Sequence, residues 1–553
     1  MEGAHAGTLP ESTGSFRNLQ GKQLAIAMTG ILLGLLLSSL DQTIVGTAMP
    51  RVIADLGGFD HYAWVATAYL LTSTASVPIF GKLSDIYGRK WFYIGGMVLF
   101  LAASALCGAS QSMLQLILFR GLQGVGGGII TANTFAIIGD LFPPAERGKW
   151  QGVTGSVFGL SSVIGPALGG WLTDGPGWRW VFYVNLPVGI LAISVLLYGL
   201  PTIRQGAKRP IDWLGATGIV GVTGPLLLGL SWGGTEYAWG STQIIGLFVL
   251  AAVMLLFFIW AETRAAEPII PLPLFSNRTF LISIVSMAML GAAMFGVITY
   301  LPLFVQGVIG KSATNSGAVL TPLMLGLVAA STTSGQITSR TGRYKWSPIL
   351  GLSLLTIGMF LLTRMDAGVP NSTIVRNLII CGVGMGFTMP TFTLAVQNAF
   401  PQRQIGVVTS SVQFFRSIGA TVGIAVMGSM LTSDLKSSIK TDVPPEVMTA
   451  LPSSALSSIN AEALSSPEAQ DHLKAAFGDN PDADRLFNVL LSSMRGALEG
   501  AIHNIFIIGL CIAITALVIV FLLPENKLRK RGEVSSPSVP QQGDQVMSGA
   551  AGH

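Results

Sequence analysis

Fourteen apolar stretches, each long enough to cross a membrane as a helix, dominate this 553-residue chain. About 20 apolar residues in a helix span the ~30 Å hydrocarbon core of a bilayer. Half of the residues are hydrophobic and only 11% are charged, a composition that does not form a water-soluble domain. The sequence therefore predicts an all-α polytopic membrane protein. The stretches lie at residues 24–49, 62–81, 92–110, 112–139, 150–173, 179–201, 213–232, 242–261, 279–306, 314–338, 346–365, 373–399, 405–432 and 500–523.

The chain is internally duplicated. A short polar hairpin at residues 81–90 recurs at 335–345 with the same Gly-to-Gly spacing of seven, an offset of 254 residues. The glycine-rich segment 124–128 and the Phe-Pro pair at 142–143 each recur 258 residues later. Three matches at nearly the same offset indicate a repeated bundle of membrane helices.

A repeat of this length holds six helices and leaves room for two more. We therefore expect two six-helix halves with an inserted pair between them. The outer loop between the last two stretches is either a small cap or mostly disordered. The expected segments are the N-terminal segment 1–23, the first half 24–201, the inserted pair with its flanking loops 202–278, the second half 279–523 including the outer loop 433–499, and the tail 524–553.

The basic residues indicate an orientation. If both termini are cytoplasmic, 20 Lys and Arg residues fall in cytoplasmic segments and 5 in short outer loops. We expect a monomer in the cell (inner or plasma) membrane, with membrane lipids contacting the basic cluster 527–531. The net charge of +5 reflects this topology, so no nucleic-acid partner is expected. The three cysteines have no metal-ligand spacing, so neither a metal nor a cofactor is expected.

Asp41 is the one acidic residue that falls well inside a predicted span. A carboxyl group in the membrane is costly enough to be a functional hypothesis by default. Removal from water favours its neutral form, so Asp41 could load a proton outside and release it inside. The alternative is a carboxylate wetted at the outer end of its helix.

Arg120 is the only basic residue deep in the first half, and it is the natural partner of Asp41. A guanidinium keeps its charge, so it must find an anion, carbonyls or water. Pairing and separation of the two groups would couple protonation to conformation. The alternative is a structural arginine bonded to helix ends.

Several motifs resemble those of the major facilitator superfamily and, within it, of the fourteen-helix drug:proton antiporters. The resemblance covers nearly all of residues 24–525. It implies proton-driven export of small-molecule substrates, alternating access between the halves, and a cavity near the bilayer midplane. The motifs are Leu40–Val45, Gly81–Lys90, Leu116–Gly128, Gly165–Gly170, Trp178–Trp180, Asn185–Pro187 and Asp212–Gly215.

The same resemblance implies two further sets of residues. A charge cluster at the cytoplasmic edge locks the outward-facing state, and it comprises Gly81, Asp85, Gly88, Arg89 and Asp140. An antiporter motif on the fifth helix comprises Gly165, Pro166, Gly169 and Gly170. The alternative for the first set is a topology signal, which in any case accounts for Lys82 and Lys90.

The second half lacks this ionisable machinery. In the repeat register, Ser339 replaces Asp85, Asn398 replaces Asp140 and Leu378 replaces Arg120. Arg416 is the exception. It could line the cavity with Gln413, reach the membrane surface, or pair with a backbone carbonyl.

The candidate cavity residues are aromatic and amide side chains on membrane helices, which could equally face lipid or neighbouring helices. With one deep carboxylate and one or two arginines, we expect monocations, zwitterions or neutral amphiphiles rather than divalent cations. The candidates are Trp64, Tyr69, Phe158, Phe295, Tyr300, Gln306, Phe387, Gln397, Gln413, Phe414 and Arg416.

The leading hypothesis is a proton-coupled antiporter that exports drugs or toxic metabolites and contributes to antibiotic resistance. A second is an exporter of an endogenous lipid, siderophore or antibiotic. A non-transporting sensor or scaffold is a third, and Asp41 and Arg120 argue against it. An enzyme is not expected, because no cluster of His, Asp and Glu shares a helix face.

Overall fold

A computed structural model describes residues 19, 21–57, 63–202, 210–234, 236–309, 313–450, 474–477, 482–525 and 528. Within these ranges the chain is mostly helical, and the only β-type pairing is an isolated bridge between Gly233 and Tyr237. The helices are α1 (Gly21–Leu56), α2 (Ala63–Tyr87), α3 (Arg89–Gly108), α4 (Met113–Leu141), α5 (Pro144–Asp174), α6 (Trp180–Tyr183), α7 (Asn185–Gly199), α8 (Trp213–Trp232), α9 (Thr242–Arg264), α10 (Arg278–Leu303), α11 (Ala313–Thr341), α12 (Trp346–Leu362), α13 (Asn371–Ala399), α14 (Ile405–Asp442), α15 (Pro445–Ala450) and α16 (Ala483–Val520). Short 3₁₀ helices occupy Leu272–Ser276 and Gln402–Gln404, and a π-helix occupies Phe304–Val308.

A helix lies at each of the fourteen predicted apolar stretches, with α6 and α7 together forming one. Of the described helices, eleven are long and apolar enough to cross a membrane by length and composition. The helix α12 is apolar but has only 17 residues. The helices α2 and α11 have 25 and 29 residues but are not among the eleven, and both contribute Ser or Thr side chains to the central cavity described below.

The helix pairing repeats between the halves. In the first half, α4 packs against α2 and α3, and α1 packs against α5 and α7. In the second half, α13 packs against α11 and α12, and α10 packs against α14 and α16. The repeat register maps each of these pairs onto its counterpart.

The repeated glycines explain why these pairs recur. On α4, Gly124 faces the α2 backbone at Tyr69, and Gly126 faces the α3 backbone at Phe100. Their counterparts Gly382 and Gly384 face the backbones of α11 and α12 in the same way. A Cβ atom at any of these positions would overlap a neighbouring backbone, so only glycine permits the close approach that holds membrane helices together.

The two halves meet along two seams that the repeat also relates. In one seam α5 crosses α11, with Gly148 against the backbone of Gly335. In the other α2 crosses α14, with Gly81 against Ser410 and Gly406. Both contacts lie at the end of the bundle that carries the two hairpins, hereafter the hairpin end. The halves are therefore closed against each other at this end.

The inserted pair α8 and α9 lies against the α2–α14 seam. At one end, the rings of Trp64 and Trp232 pack with their centroids 5.1 Å apart, and Trp239 donates to the Ser429 hydroxyl at 2.6 Å. At the hairpin end, Lys82 forms a salt bridge of 2.7 Å with Glu267. The pair thus contacts both halves.

The predicted outer loop 433–499 is partly helical where the structure describes it. The helix α14 continues to Asp442, and α16 begins at Ala483, well before the predicted start of its span at residue 500. At 1.5 Å per residue, these 38-residue helices are longer than the ~30 Å hydrocarbon core. Residues 451–473 and 478–481 of the predicted loop lie outside the described part of the chain.

We predict that Gly148→Ala opens the α5–α11 seam. A methyl group there would meet the carbonyl oxygen of Gly335 at 2.9 Å, and this backbone atom cannot turn away. Cysteines replacing Ser156 and Thr332, whose hydroxyl oxygens are 3.1 Å apart, report the distance across the seam. Their cross-linking yield should fall severalfold in a background without native cysteines.

Gly170→Ala is the matched control, because it makes the same change on the same helix where nothing lies within 4 Å. It should leave the cross-linking yield unchanged. Equal yields from the two variants would show that the glycine contact does not set the distance between the halves.

Candidate functional site

A central cavity of about 260 Å³ lies between the two halves. The helices α1, α2, α4 and α5 line it from the first half, and α10, α11, α13 and α14 from the second. Of the sequence-predicted cavity residues, five line it, namely Tyr69, Phe158, Phe295, Gln413 and Arg416. Among the described residues of the lining, Arg416 is the only charged one.

The cavity ends at a floor on its hairpin side. Gln397 donates to the carbonyl oxygen of Phe135 at 3.2 Å and to the Thr409 hydroxyl at 3.0 Å. Arg147, only 2% exposed, donates to the carbonyl oxygen of Gln397 at 3.2 Å and to that of Phe142 at 2.9 Å. These hydrogen bonds join the halves beneath the cavity, so Gln397 belongs to the floor rather than to the lining.

The other five predicted cavity residues also lie away from the lining. Trp64 packs on the inserted pair, and Phe387 packs on Trp346 with a centroid distance of 5.8 Å. The hydroxyl of Tyr300 donates to the carbonyl oxygen of Ile424 at 2.9 Å.

Gln306 and Phe414 complete this group. Gln306 lies in the π-helix that follows α10. Phe414 is buried among apolar residues of both halves and the inserted pair. The rotation of each helix decides which face meets the cavity, and the nearly uniform apolar composition of these helices gives no signal of that rotation.

The charge cluster predicted at the hairpin is assembled in the structure. Arg89, 4% exposed, pairs with Asp85, with Asp140 at 2.9 Å from its Nε, and with the Ser84 hydroxyl at 2.7 Å. Gly88, which separates α2 from α3, has a φ of +103°, where a side chain would be strained. This turn brings the three charged groups together.

The cluster also reaches the second half. The backbone N–H of Val407 donates to Asp85 at 3.0 Å, and the amide of Gln402 donates to Asp140 at 3.2 Å. Gly81 lies directly against Ser410. Gly81, Asp85 and Asp140 of the predicted charge cluster therefore contact the second half directly, and the two carboxylates, held by Arg89, form the candidate latch between the halves.

Asp41 and Arg120 form a buried ion pair within the first half. Their closest atoms are 2.5 Å apart, and the residues are 0% and 2% exposed. Gln123 and Asn185 each donate to the other carboxylate oxygen at 2.9 Å. Asp41 is therefore enclosed by protein, not a wetted carboxylate at a helix end.

Tyr69 separates this ion pair from the cavity. Its ring lies 4.4 Å from the Arg120 guanidinium carbon, and its hydroxyl is 3.3 Å from that of Ser38. The side chain is 1% exposed and also lines the cavity. Gln42, the residue after Asp41, lines the cavity as well. Asp41 itself does not line the cavity.

The motif on α5 packs against α1 beside Asp41. Gly165 faces the hydroxyl of Thr43, and Gly169 faces that of Thr47. Pro166 lies inside α5, and Gly170 has nothing within 4 Å of its would-be side chain. Two of the three motif glycines therefore permit close packing of α1 and α5.

Sequence reasoning gave no role to three polar residues that the structure places at these sites. Gln123 and Asn185 complete the shell around Asp41, and Arg147 crosses between the halves. For Gln123 and Asn185, the sequence signal that could have indicated a role is a polar side chain within a motif on a membrane helix. Arg147 lies in a short predicted cytoplasmic segment of the sequence, where its charge indicates only orientation.

Comparisons with known proteins identify the family. The model of the Major Facilitator Superfamily matches residues 31–212 and 213–424. The chain is 42% identical over 523 residues to the multidrug transporter protein MdtP of Bacillus subtilis (strain 168), covering 93% of this chain and 96% of that protein. It is 41% identical over 404 residues to multidrug resistance protein 3 of the same organism, covering 73% and 79%.

A crystal structure of the human organic anion transporter MFSD10 (TETRAN) has a TM-score of 0.58 at 17% identity, covering 75% of this chain and 95% of that one. This likeness concerns the fold alone. The family model matches well over half of the residues, and the repeat, seams and central cavity form one two-half transporter architecture. The chain is a multi-pass membrane protein and belongs to the Major Facilitator Superfamily.

Proposed function

We propose that this protein is a proton-coupled antiporter that exports small hydrophobic or amphipathic compounds, including drugs and toxic metabolites, by alternating access. Members of its superfamily carry small molecules, and two relatives that align over most of the chain are named as multidrug transport or resistance proteins. The largely apolar cavity between the halves supports cargo of this kind. We further propose that it works as a monomer in the plasma membrane.

The distribution of basic residues supports a cytoplasmic hairpin end, with both termini on the same side. Under that orientation the closed seams face the cytoplasm. The described state is then outward-facing or occluded, and the Asp85–Arg89–Asp140 cluster holds it closed on the inside.

The buried Asp41–Arg120 pair is the observation that carries the proposed coupling. A proton arriving on Asp41 neutralises one partner and leaves Arg120 with only the Gln123 amide oxygen at 2.8 Å and the Val65 carbonyl oxygen at 3.4 Å. Removing one partner of a buried ion pair costs about 3–5 kcal/mol. Protonation therefore destabilises this arrangement and favours another in which Arg120 finds new partners.

Tyr69 supplies a physical connection to the cargo. Its ring contacts the Arg120 guanidinium on one side and the cavity on the other. Cargo that displaces this ring also alters the surroundings of the ion pair. Cargo binding and proton binding thereby act on one element.

We predict that Asp41→Asn abolishes coupling, because asparagine keeps most of the hydrogen bonds but cannot exchange a proton. The assay uses proteoliposomes with an imposed pH gradient and trapped pyranine. Addition of the neutral amphiphile 4-(1-pyrenyl)butanol should accelerate proton flux through the wild type and not through the variant.

Asp55→Asn is the matched control on the same helix, since Asp55 is half-exposed and pairs with Arg179. It should keep most of the stimulated flux. Energy transfer from tryptophan to the pyrene probe checks that Asp41→Asn remains folded. Stimulated flux of wild-type size through Asp41→Asn would rule out the coupling role.

We predict that Asp85→Asn shifts the equilibrium away from the state closed at the hairpin end. The change removes a charge from the cluster around Arg89 and weakens the bond from Val407. Charge-assisted hydrogen bonds contribute about 1.5–3 kcal/mol, so the shift should be on the order of tenfold or more.

The measurement is the rate at which a membrane-impermeant maleimide, added from the cytoplasmic side, labels a cysteine replacing Thr154 on the cavity lining. Asp366→Asn, an exposed position in the loop between α12 and α13, is the control and should not change this rate. Equal rates for wild type and Asp85→Asn would reject the latch.

A further inference from the structure

One side chain supplies the charge among the described residues of the cavity lining. Arg416 on α14 is the only charged residue among the described residues that line it, and no carboxylate accompanies it there. Asp41, the one carboxylate predicted deep in the membrane, is enclosed with Arg120 behind Tyr69. A cargo molecule in the cavity therefore meets a positive charge without a matching negative one.

The Arg416 guanidinium has N–H donors that no described residue accepts from. It offers five N–H groups and does not lose its proton in proteins. Its Nε donates to the amide oxygen of Gln413 at 3.0 Å, and this is its only hydrogen bond to the described residues. Among the same residues it takes part in no salt bridge, whereas Arg89 and Arg120 each pair with carboxylates.

The position of Arg416 is fixed by its helix. Gly291 on α10 lies against the carbonyl oxygen of Arg416, and Gly419 lies against the α10 backbone at Ala288. One face of α14 is thus held against α10, and the Arg416 side chain borders the cavity. The charge is built into the cavity rather than carried on a loop.

The rest of the lining fits the body of an amphiphile. Four methionines and three phenylalanines provide adaptable apolar contacts. The amide nitrogen of Gln151, a residue only 2% exposed, has no acceptor among the described residues and adds a second unused donor. The methionines and phenylalanines of the lining are Phe135, Phe158, Met287, Met294, Phe295, Met324 and Met389.

We propose that the preferred cargo is an amphipathic anion: a compact hydrophobic body with a carboxylate or sulfonate that pairs with Arg416. This proposal rests on the export function proposed above and names the class of compound. It replaces the sequence-based expectation that included monocations.

The alternatives are disfavoured by desolvation. A bound molecule displaces water from the guanidinium, and an unpaired buried charge is costly. An anionic head group replaces that water with a charge-assisted pair, which a guanidinium and a carboxylate can form through two parallel hydrogen bonds. A neutral head group replaces it only in part, and a cationic one adds repulsion.

Three probes that share one apolar body test the proposal: 4-(1-pyrenyl)butyrate, 4-(1-pyrenyl)butanol and 4-(1-pyrenyl)butyltrimethylammonium. Binding to the purified full-length protein at pH 7.5 is followed by energy transfer from tryptophan. The wild type should bind the anion most tightly and the cation least. Arg416→Gln should weaken anion binding on the order of tenfold or more, and change butanol binding by no more than about threefold.

Two further variants keep the test decisive if Arg416→Gln folds poorly. Arg416→Lys retains the charge and should retain most of the anion preference. Arg376→Gln makes the same change at an exposed position in the second turn of α13 and should leave all three affinities unchanged.

A wild type that binds the cation as tightly as the anion would overturn the proposal. So would an equal loss of all three affinities in a folded Arg416→Gln variant, or an unchanged anion affinity. The proton-flux assay separates this proposal from the proposed function. Stimulated flux without anion preference rejects only the cargo class, and anion preference without stimulated flux rejects only the coupled transport.

Discussion

The contact between the halves at the hairpin end is the constraint on which the rest of the structure depends. Gly148 against Gly335, and Gly81 against Ser410, let two pairs of helices approach closely enough to close one end of the bundle. The floor of the cavity, with Arg147 and Gln397, exists only because of that approach. In lipid no hydrophobic force drives helices together, so their association depends on close van der Waals packing. Small residues permit that packing because they let two backbones approach.

The repeat is symmetric in packing and asymmetric in charge. Glycines recur at matching positions because both halves must build the same helix pairs. A carboxylate in the membrane is costly unless it has a partner. The membrane carboxylates are therefore confined to places where they have one. Asp85 bonds to Val407 across the α2–α14 seam, whereas its counterpart at the α5–α11 seam is Ser339. The two halves thus share one packing scaffold, and the carboxylates of the ion pair and of the charge cluster lie in the first half.

Much of this architecture could be predicted from the sequence, because bilayer thickness and the repeat register impose long-range constraints. The Asp41–Arg120 pair could be predicted too, since two lone charges in lipid have few other partners. The cavity lining could not: Tyr69 and Arg416 lie on it, but Trp64 and Phe414 do not, because helix rotation leaves little trace in apolar sequence. The ends of the helices on either side of the predicted outer loop could not be predicted either, for another reason. The helices α14 and α16 continue through polar sequence, and the apolar side chains of Leu435 and Leu490 join one cluster there.

The central claim is that Asp41 exchanges a proton while the protein remains folded. Infrared difference spectroscopy of the purified protein, recorded between alkaline and acidic buffer, measures this through the carbonyl stretch of a newly protonated carboxylic acid. The account predicts a band that disappears in Asp41→Asn and persists in Asp55→Asn. A spectrum that Asp41→Asn leaves unchanged would contradict it.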